Sequence, residues 1–330
     1  EPFKVPACPA YFTTSAVDCQ LDLQAPKPEV WLGFLDQLWN DDPQCIETLQ
    51  EWFGYCLVPD TRQQKGLLIV GPPRGGKGVI GRTQTAIAGK VNIASPTLAS
   101  LATNFGLSPM VGKTLAVISD ARLSGRTDQV AVVERILSIT GEDSITVDRK
   151  HQSPITCRLP TRFLILTNEL PRLTDSSGAI ISRFIMLRTT KNWLGREDRT
   201  LEDRIKLELP GILLWAIEGW RRLRERGYFN QPDSSLELLG ELRDLASPVG
   251  AFYRDYCESG ASFIVSKDLL FKAWKNWCET EGREKYTGTL ANFGRELMAA
   301  VPTVKSIRPR VDGDRLQSYQ GVKLKGDSWG

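Results

Sequence analysis

The sequence predicts an α/β protein, with a parallel-sheet core that holds a phosphate loop, helices ahead of it, and a separate unit of helices and a β-hairpin behind it. Three observations carry this prediction. Residues 66–70 (GLLIV) form the short apolar run that a buried parallel strand needs, and GPPRGGKG follows at once. Two further apolar runs, 114–119 and 163–166, each lead into polar residues, Asp120 in one case and Thr167-Asn168 in the other. Beyond residue 248, helical stripes give way to two β-like segments joined through Asp312-Gly313-Asp314.

A length of 330 residues suits two or more domains, and a net charge of +3 is mild, so nucleic-acid binding must rest on local clusters. No run reaches the length of a membrane span, and no secretory leader opens the chain. It begins at Glu1 without a Met, as a piece of a longer protein would. Seven cysteines (Cys8, Cys19, Cys45, Cys56, Cys157, Cys257, Cys278) without a C-x-x-C pair, and a single histidine, His151, argue against a zinc site. They fit reduced thiols in a cytoplasm.

Residues 1–28 are Pro-rich and read as an extended arm or linker. Helical spacing runs from Val30 to Trp39 and from Pro43 to Leu57, with Asp42 as a cap ahead of Pro43. Their aromatics, Trp31, Trp39 and Trp52, read as core.

The loop after the first strand has the form Gly-x-x-x-x-Gly-Lys. Its glycines let backbone N–H groups surround a triphosphate, its lysine reaches the β and γ oxygens, and the next helix offers its N-terminus to the anion. Gly71, Pro72, Pro73, Arg74, Gly75, Gly76, Lys77, Gly78 and Val79 are therefore the expected ATP contacts. The pattern asks for Ser or Thr after the lysine to hold Mg²⁺, and Gly78 stands there instead. Thr83 lies too far along the helix to substitute, so magnesium must lean on another acid or on water.

Asp120, at the end of the second strand, is placed to hold that magnesium, and Asn168, at the tip of the third, to orient an attacking water through its amide. Between them, two β-like runs flank Arg149, Lys150 and His151. Adjacent cations at a hairpin tip suit the phosphates of a DNA strand in a channel, and the same residues also suit an ordinary solvated turn. Arg183 has two readings: at a subunit edge its guanidinium would neutralise charge on a neighbour's γ-phosphate, and inside the fold it would pair with a carboxylate.

Helical spacing returns from Asp198 to Arg226 with a break at Pro210, and Arg221, Arg222, Arg224 and Arg226 read as a solvated face. Residues 228–248 read as a boundary. Then come a helix at 249–257, the stripe Leu270, Ala273, Trp274, Trp277 and Cys278, and a helix at 290–299. The β-like segments 304–310 and 315–324 carry Lys305, Arg308, Arg310 and Arg315, a pattern that matches a winged helix-turn-helix binding either DNA or a protein.

With GPPRGGKG, TLAVISDAR, ITGEDSITVDRKH, FLILTNELPRL and SRFIMLR packed in that order between Gly71 and Arg188, the chain resembles the superfamily 3 helicases of the phage, plasmid and poxvirus-like primase-helicase type. The resemblance covers about residues 30–325. It implies a helical collar (29–62), an AAA+-like P-loop ATPase core (63–195), a helical extension or linker (196–248) and a winged helix (249–325), between the arm (1–28) and a tail (326–330). It also implies ATP and Mg²⁺ as cofactors and a ring, commonly a hexamer, that moves along single-stranded or forked DNA in a bacterial or phage-infected host cytoplasm. A primase or polymerase domain would be a further partner, and no membrane would be.

By the same resemblance, Lys77 is the Walker A lysine, Asp120 a Walker B acid and magnesium ligand, Asn168 the polar sensor, Lys150 the DNA-contacting lysine and Arg183 the arginine finger. The chain departs from the pattern at Gly78 and at Ser119-Asp120-Ala121, where no glutamate stands as catalytic base. Glu134, Glu142 and Asp143 remain the candidates for that base. Two other activities are compatible with the motifs: a nucleotide-switched DNA-binding initiator or loader without helicase activity, and a nucleoside monophosphate kinase, whose loops also tolerate glycine after the lysine.

Overall fold

The computed structural model describes residues 16–123, 127–311 and 314–326. Cys8, most of the expected arm, the Asp312-Gly313 turn and nearly all of the tail lie outside the described residues. The chain divides into two compact units, Glu1–Pro171 with Arg183–Leu238, and Arg172–Ser182 with Leu239–Gly330.

The first unit opens with α1 (Glu29–Trp39) and α2 (Pro43–Tyr55), followed by β1 (Gly66–Val70) and α3 (Lys77–Ala88). Next come β2 (Ile93–Ala94), α4 (Leu98–Leu101), β3 (Leu115–Ile118) and α5 (Gln129–Thr140). A hairpin, β4 (Ile145–Arg149) and β5 (Gln152–Cys157), precedes β6 (Arg162–Thr167). After α6 (Ala179–Ser182), which belongs to the second unit, β7 (Phe184–Arg188), α7 (Leu201–Leu207) and α8 (Leu209–Arg226) complete the first. The boundary falls within α9 (Leu236–Ala246).

The main sheet is parallel, in the order β2-β3-β6-β1-β7. Its three central strands are buried at every residue, which is why they read in sequence as unbroken apolar runs. The expected strands at 66–70, 114–119 and 163–166 are β1, β3 and β6. The edge strands β2 and β7 were not expected, and at two residues β2 is too short to show a pattern.

The helices expected to form a collar are not a separate unit. Trp31, Phe34, Leu49 and Phe53 belong to the same hydrophobic core as Leu67, Ile69 and Leu187 of the sheet and Ile212 and Ala216 of α8. Trp215 of α8 meets the rings of Trp31 and Phe53 nearly edge-on, at centroid distances of 5.8 and 5.5 Å. Asp42 caps α2 as expected, accepting from the Cys45 N–H at 3.3 Å. The α1 N-terminus borrows its cap: the Glu208 carboxylate, just ahead of α8, accepts from the N–H groups of Val30 and Trp31, both at 2.9 Å.

The expected solvated arginine face of α8 is half right. Arg221 and Arg224 are exposed, whereas Arg222 (2.7 Å) and Arg226 converge on Glu51, whose side chain is only 2% exposed. A buried carboxylate on α2 demands cations, and removing such a partner typically costs about 3–5 kcal/mol.

The second unit contains α10 (Pro248–Tyr256), β8 (Cys257–Ser266), α11 (Lys267–Thr280) and α12 (Leu290–Ala300). Then follow β9 (Lys305–Ile307), β10 (Arg310–Val311), β11 (Asp314–Arg315) and β12 (Ser318–Leu324). The predicted helices are all present and wrap Phe252, Trp274, Trp277 and Phe293 into one aromatic core. Strand β8 was not expected, because CESGASFIVS is rich in Gly and Ser and lacks clean alternation. It forms by pairing antiparallel with β12, a tertiary partner about sixty residues downstream.

Candidate nucleotide-binding site

Lys77 and Asn168 leave the C-terminal ends of two adjacent central strands, where open parallel sheets bind their ligands. Gly76 caps α3 with φ +78°, a left-handed conformation that turns the loop into the helix and suits glycine. Arg74 also takes a left-handed φ, +57°, within the loop. The loop is held from behind by the segment after β7: the Thr189 N–H donates to the Val70 carbonyl at 2.8 Å and that of Trp193 to Arg74 at 3.2 Å. A β-carbon on Gly71 would lie 2.1 Å from Thr189 Oγ1 and 2.3 Å from its carbonyl, so glycine is required there for backbone approach.

The Lys77 side chain is folded into the loop, donating to the carbonyls of Gly71 and Pro72 at 2.7 Å each and to Asn168 Oδ1 at 3.0 Å. Burial pulls its ammonium below the usual lysine range. Two of the predicted site residues, from the first and third motifs, are thus brought into direct contact.

Around them opens a cavity of about 820 Å³, lined by the loop, by Gly33, Phe34 and Gln37 of α1, and by Trp193, Arg196 and Asp198 beyond β7. That size suits a nucleotide-sized ligand. Gly33 leaves a bare patch on α1, with nothing within 4 Å of where its β-carbon would stand. These α1 and post-β7 walls carry no motif, because what marks them is proximity to the loop.

Gly78 lies against a flexible side chain. A β-carbon there would lie 2.9 Å from the guanidinium of Arg82, one helical turn on, which pairs with Glu202 of α7. An arginine thus lies beside the position where the motif places a hydroxyl.

Asp120 sits two residues past Ile118, which pairs with Ile165, so it is level with the end of β6. Its exposed carboxylate is gripped by Arg122, with Nε–Oδ2 2.9 Å and Nη2–Oδ2 2.6 Å, and this grip holds it below the usual carboxylate range. One carboxylate with phosphate oxygens and waters is an ordinary magnesium donor set. No cluster of three or more His, Cys, Asp or Glu able to hold a metal occurs among the described residues.

Arg183 lies at the other end of the sheet. Its carbonyl accepts from Gly66 N–H at the start of β1, while its guanidinium donates to the Gln64 side chain and its buried Nε has no hydrogen-bond partner. The reading of Arg183 as paired with a carboxylate inside the fold is not realised among the described residues. Glu142 is held by Arg158 at 3.0 Å and by Thr61, and Asp143 lies next to it beside Gly141, which approaches Arg183. These two candidates for the base are therefore at the wrong end of the sheet for this chain's own nucleotide.

Hairpin β4–β5 is anchored by buried Ile145 and Val147. The Arg149 guanidinium is turned back onto the Ser153 carbonyl at 2.8 Å, whereas Lys150 and His151 form the exposed two-residue tip, His151 with φ +59°. In the second unit, the four expected wing cations are exposed, and Arg310 pairs directly opposite Arg315.

Residues 69–183, from within β1 to Arg183, match the sequence model of DUF5906, described as a family of unknown function. The apo structure of the NrS-1 C-terminal region (305–718) resembles this chain with a TM-score of 0.54 at 12% identity, over 92% of this chain and 77% of that one. The A form of the same region gives 0.53 at 12% identity, over 92% and 78%. This likeness shows a shared fold. A structure of JCV helicase with a bound small molecule matches 60% of this chain and 67% of its own at 16% identity, with a TM-score of 0.34 that carries no weight here. No helix among the described residues is long and apolar enough to cross a membrane.

Proposed function

We propose that the chain is an ATP-driven, ring-forming helicase that moves along single-stranded DNA at a fork, in the replication of a phage or mobile element. The observation that carries this reading is the separation of its charged groups between two ends of one sheet. At the C-terminal end, Lys77 is poised to neutralise the β and γ oxygens, the α3 N-terminus faces the same anion, and the Asn168 amide is next to it to orient water. Asp120 would hold magnesium, which when bound supplies charge neutralisation at the phosphates. The cavity beyond the loop offers room for ribose and base.

At the N-terminal end, Arg183 is separated from its own loop by the length of β1, roughly 16 Å at the usual strand rise. An arginine so placed serves a nucleotide held by another copy of the chain. That requirement supports a ring in which each active centre is shared. The exposed Lys150-His151 tip suits the phosphates of a strand in the channel, and a helical unit ending in a cationic hairpin suits a winged helix on DNA. Like charges held opposite each other, as Arg310 and Arg315 are, cost stability unless an anion joins them.

The test mixes two inactive proteins. Lys77→Ala and Arg183→Ala are each expected to abolish turnover, and together to recover part of it, because mixed interfaces rebuild intact half-sites. Recovery with DNA-stimulated ATP turnover and strand displacement on a fork is the expected result. No recovery, with monomers in sedimentation, overturns the ring. The second reading, a nucleotide-switched initiator, is favoured by Gly78 and by the missing glutamate beside Asp120, and DNA-stimulated turnover excludes it.

A further inference from the structure

The motif carrying Asp120 lacks the second acid that ATP hydrolysis needs, and two of the three acids considered from sequence lie at the opposite end of the sheet. A different acid stands next to the predicted sensor in the chain. Glu169 follows Asn168 directly, at the C-terminal end of β6, and is exposed. The turn that presents it is fixed by Thr167, whose hydroxyl donates to the Glu169 carbonyl at 2.8 Å. Its neighbour Asn168 touches Lys77, while the adjacent strand, β3, brings Asp120 level with Thr167.

At the same end of the sheet, Arg122 grips the Asp120 carboxylate, Nη2–Oδ2 2.6 Å.

We propose that Glu169 is the catalytic base, supplied from the end of β6 in place of an acid beside Asp120. The inference rests on the reading of this site as an ATPase. In the step, the Glu169 carboxylate takes a proton from a water oriented by Asn168. The water oxygen bonds to the γ-phosphorus as the bond to the β,γ-bridging oxygen breaks, and ADP leaves carrying that electron pair. The proton then passes from Glu169 to solvent, leaving ADP, inorganic phosphate and one proton from ATP and water.

The experiment compares wild type, Glu169→Gln, Glu169→Asp and Glu134→Gln for ATP turnover with single-stranded DNA, and for binding of a fluorescent non-hydrolysable ATP analogue. Glu169→Gln is expected to bind the analogue as wild type does and to lose about 10²–10⁴-fold in turnover. Glu169→Asp should restore part of it, and a loss of that size in Glu134→Gln rather than in Glu169→Gln overturns the assignment. Glu169→Gln turnover within about threefold of wild type overturns the assignment, since a base is worth far more. Parallel loss of analogue binding also overturns it, because it assigns the residue a structural role. A wild-type chain that binds the analogue without any turnover refutes the ATPase reading itself, and with it the base.

Discussion

The two ends of the five-stranded sheet present contrasting chemistry on the same strands. At the C-terminal end the cation, Lys77, is folded into the loop's own carbonyls and Asn168. At the N-terminal end, Arg162 is buried, with Nη2 on the carbonyls of Val58 (2.5 Å) and Asp60 (2.7 Å), its guanidinium 4.3 Å over the Tyr55 ring, and its Nε and Nη1 without a hydrogen-bond partner. Arg183, at the same edge, holds only an amide, and burial and the Arg183 charge together draw the Lys65 ammonium below its usual range. Arginines at one edge thus differ in anchorage: Arg162 secures the segment before β1 through two backbone carbonyls, and the Arg183 guanidinium holds the Gln64 side chain.

Breaking the C-terminal end should have the largest effect. Lys77→Ala is expected to reduce ATP turnover by about 10³-fold or more and to weaken nucleotide binding, measured by phosphate release and analogue titration. Arg183→Ala should lower turnover by about 10³-fold while leaving analogue affinity nearly intact, because in the proposed ring its guanidinium acts on a neighbour's transition state. If Arg183→Ala destabilises the fold instead, the two ends do not differ as described. Arg162→Met sharpens the contrast: it strands two carbonyls and should cost about 1–3 kcal/mol in denaturant unfolding, with turnover per folded molecule unchanged.

The smallest effect is expected at the loop. Gly78→Ser meets only the flexible end of Arg82, which can swing away, and restores a magnesium-binding hydroxyl. The magnesium concentration for half-maximal turnover should fall by about two- to tenfold. An unchanged magnesium dependence would show that Arg82 keeps the position closed.

Much of the core was legible because its signals are local. A strand buried on both faces must be apolar throughout, and a phosphate loop must be rich in glycine, so β1, β3, β6 and the loop could be read directly. The Asp42 cap and the break at Pro210 were equally plain. The post-β7 wall of the cavity, the Glu208 cap on α1 and strand β8 were not, since each depends on a partner many residues away.

The sequence by itself determined a strand-loop-helix unit, because a strand buried on both faces must be apolar and a loop turned that tightly into a helix needs glycine. Only the tertiary structure decided that Asn168 meets Lys77 while Arg183, fifteen residues later, lies at the far end of the sheet. The reason is that parallel strands all point one way: a residue ending one strand and a residue beginning the next are near in the chain and a full strand length apart in space.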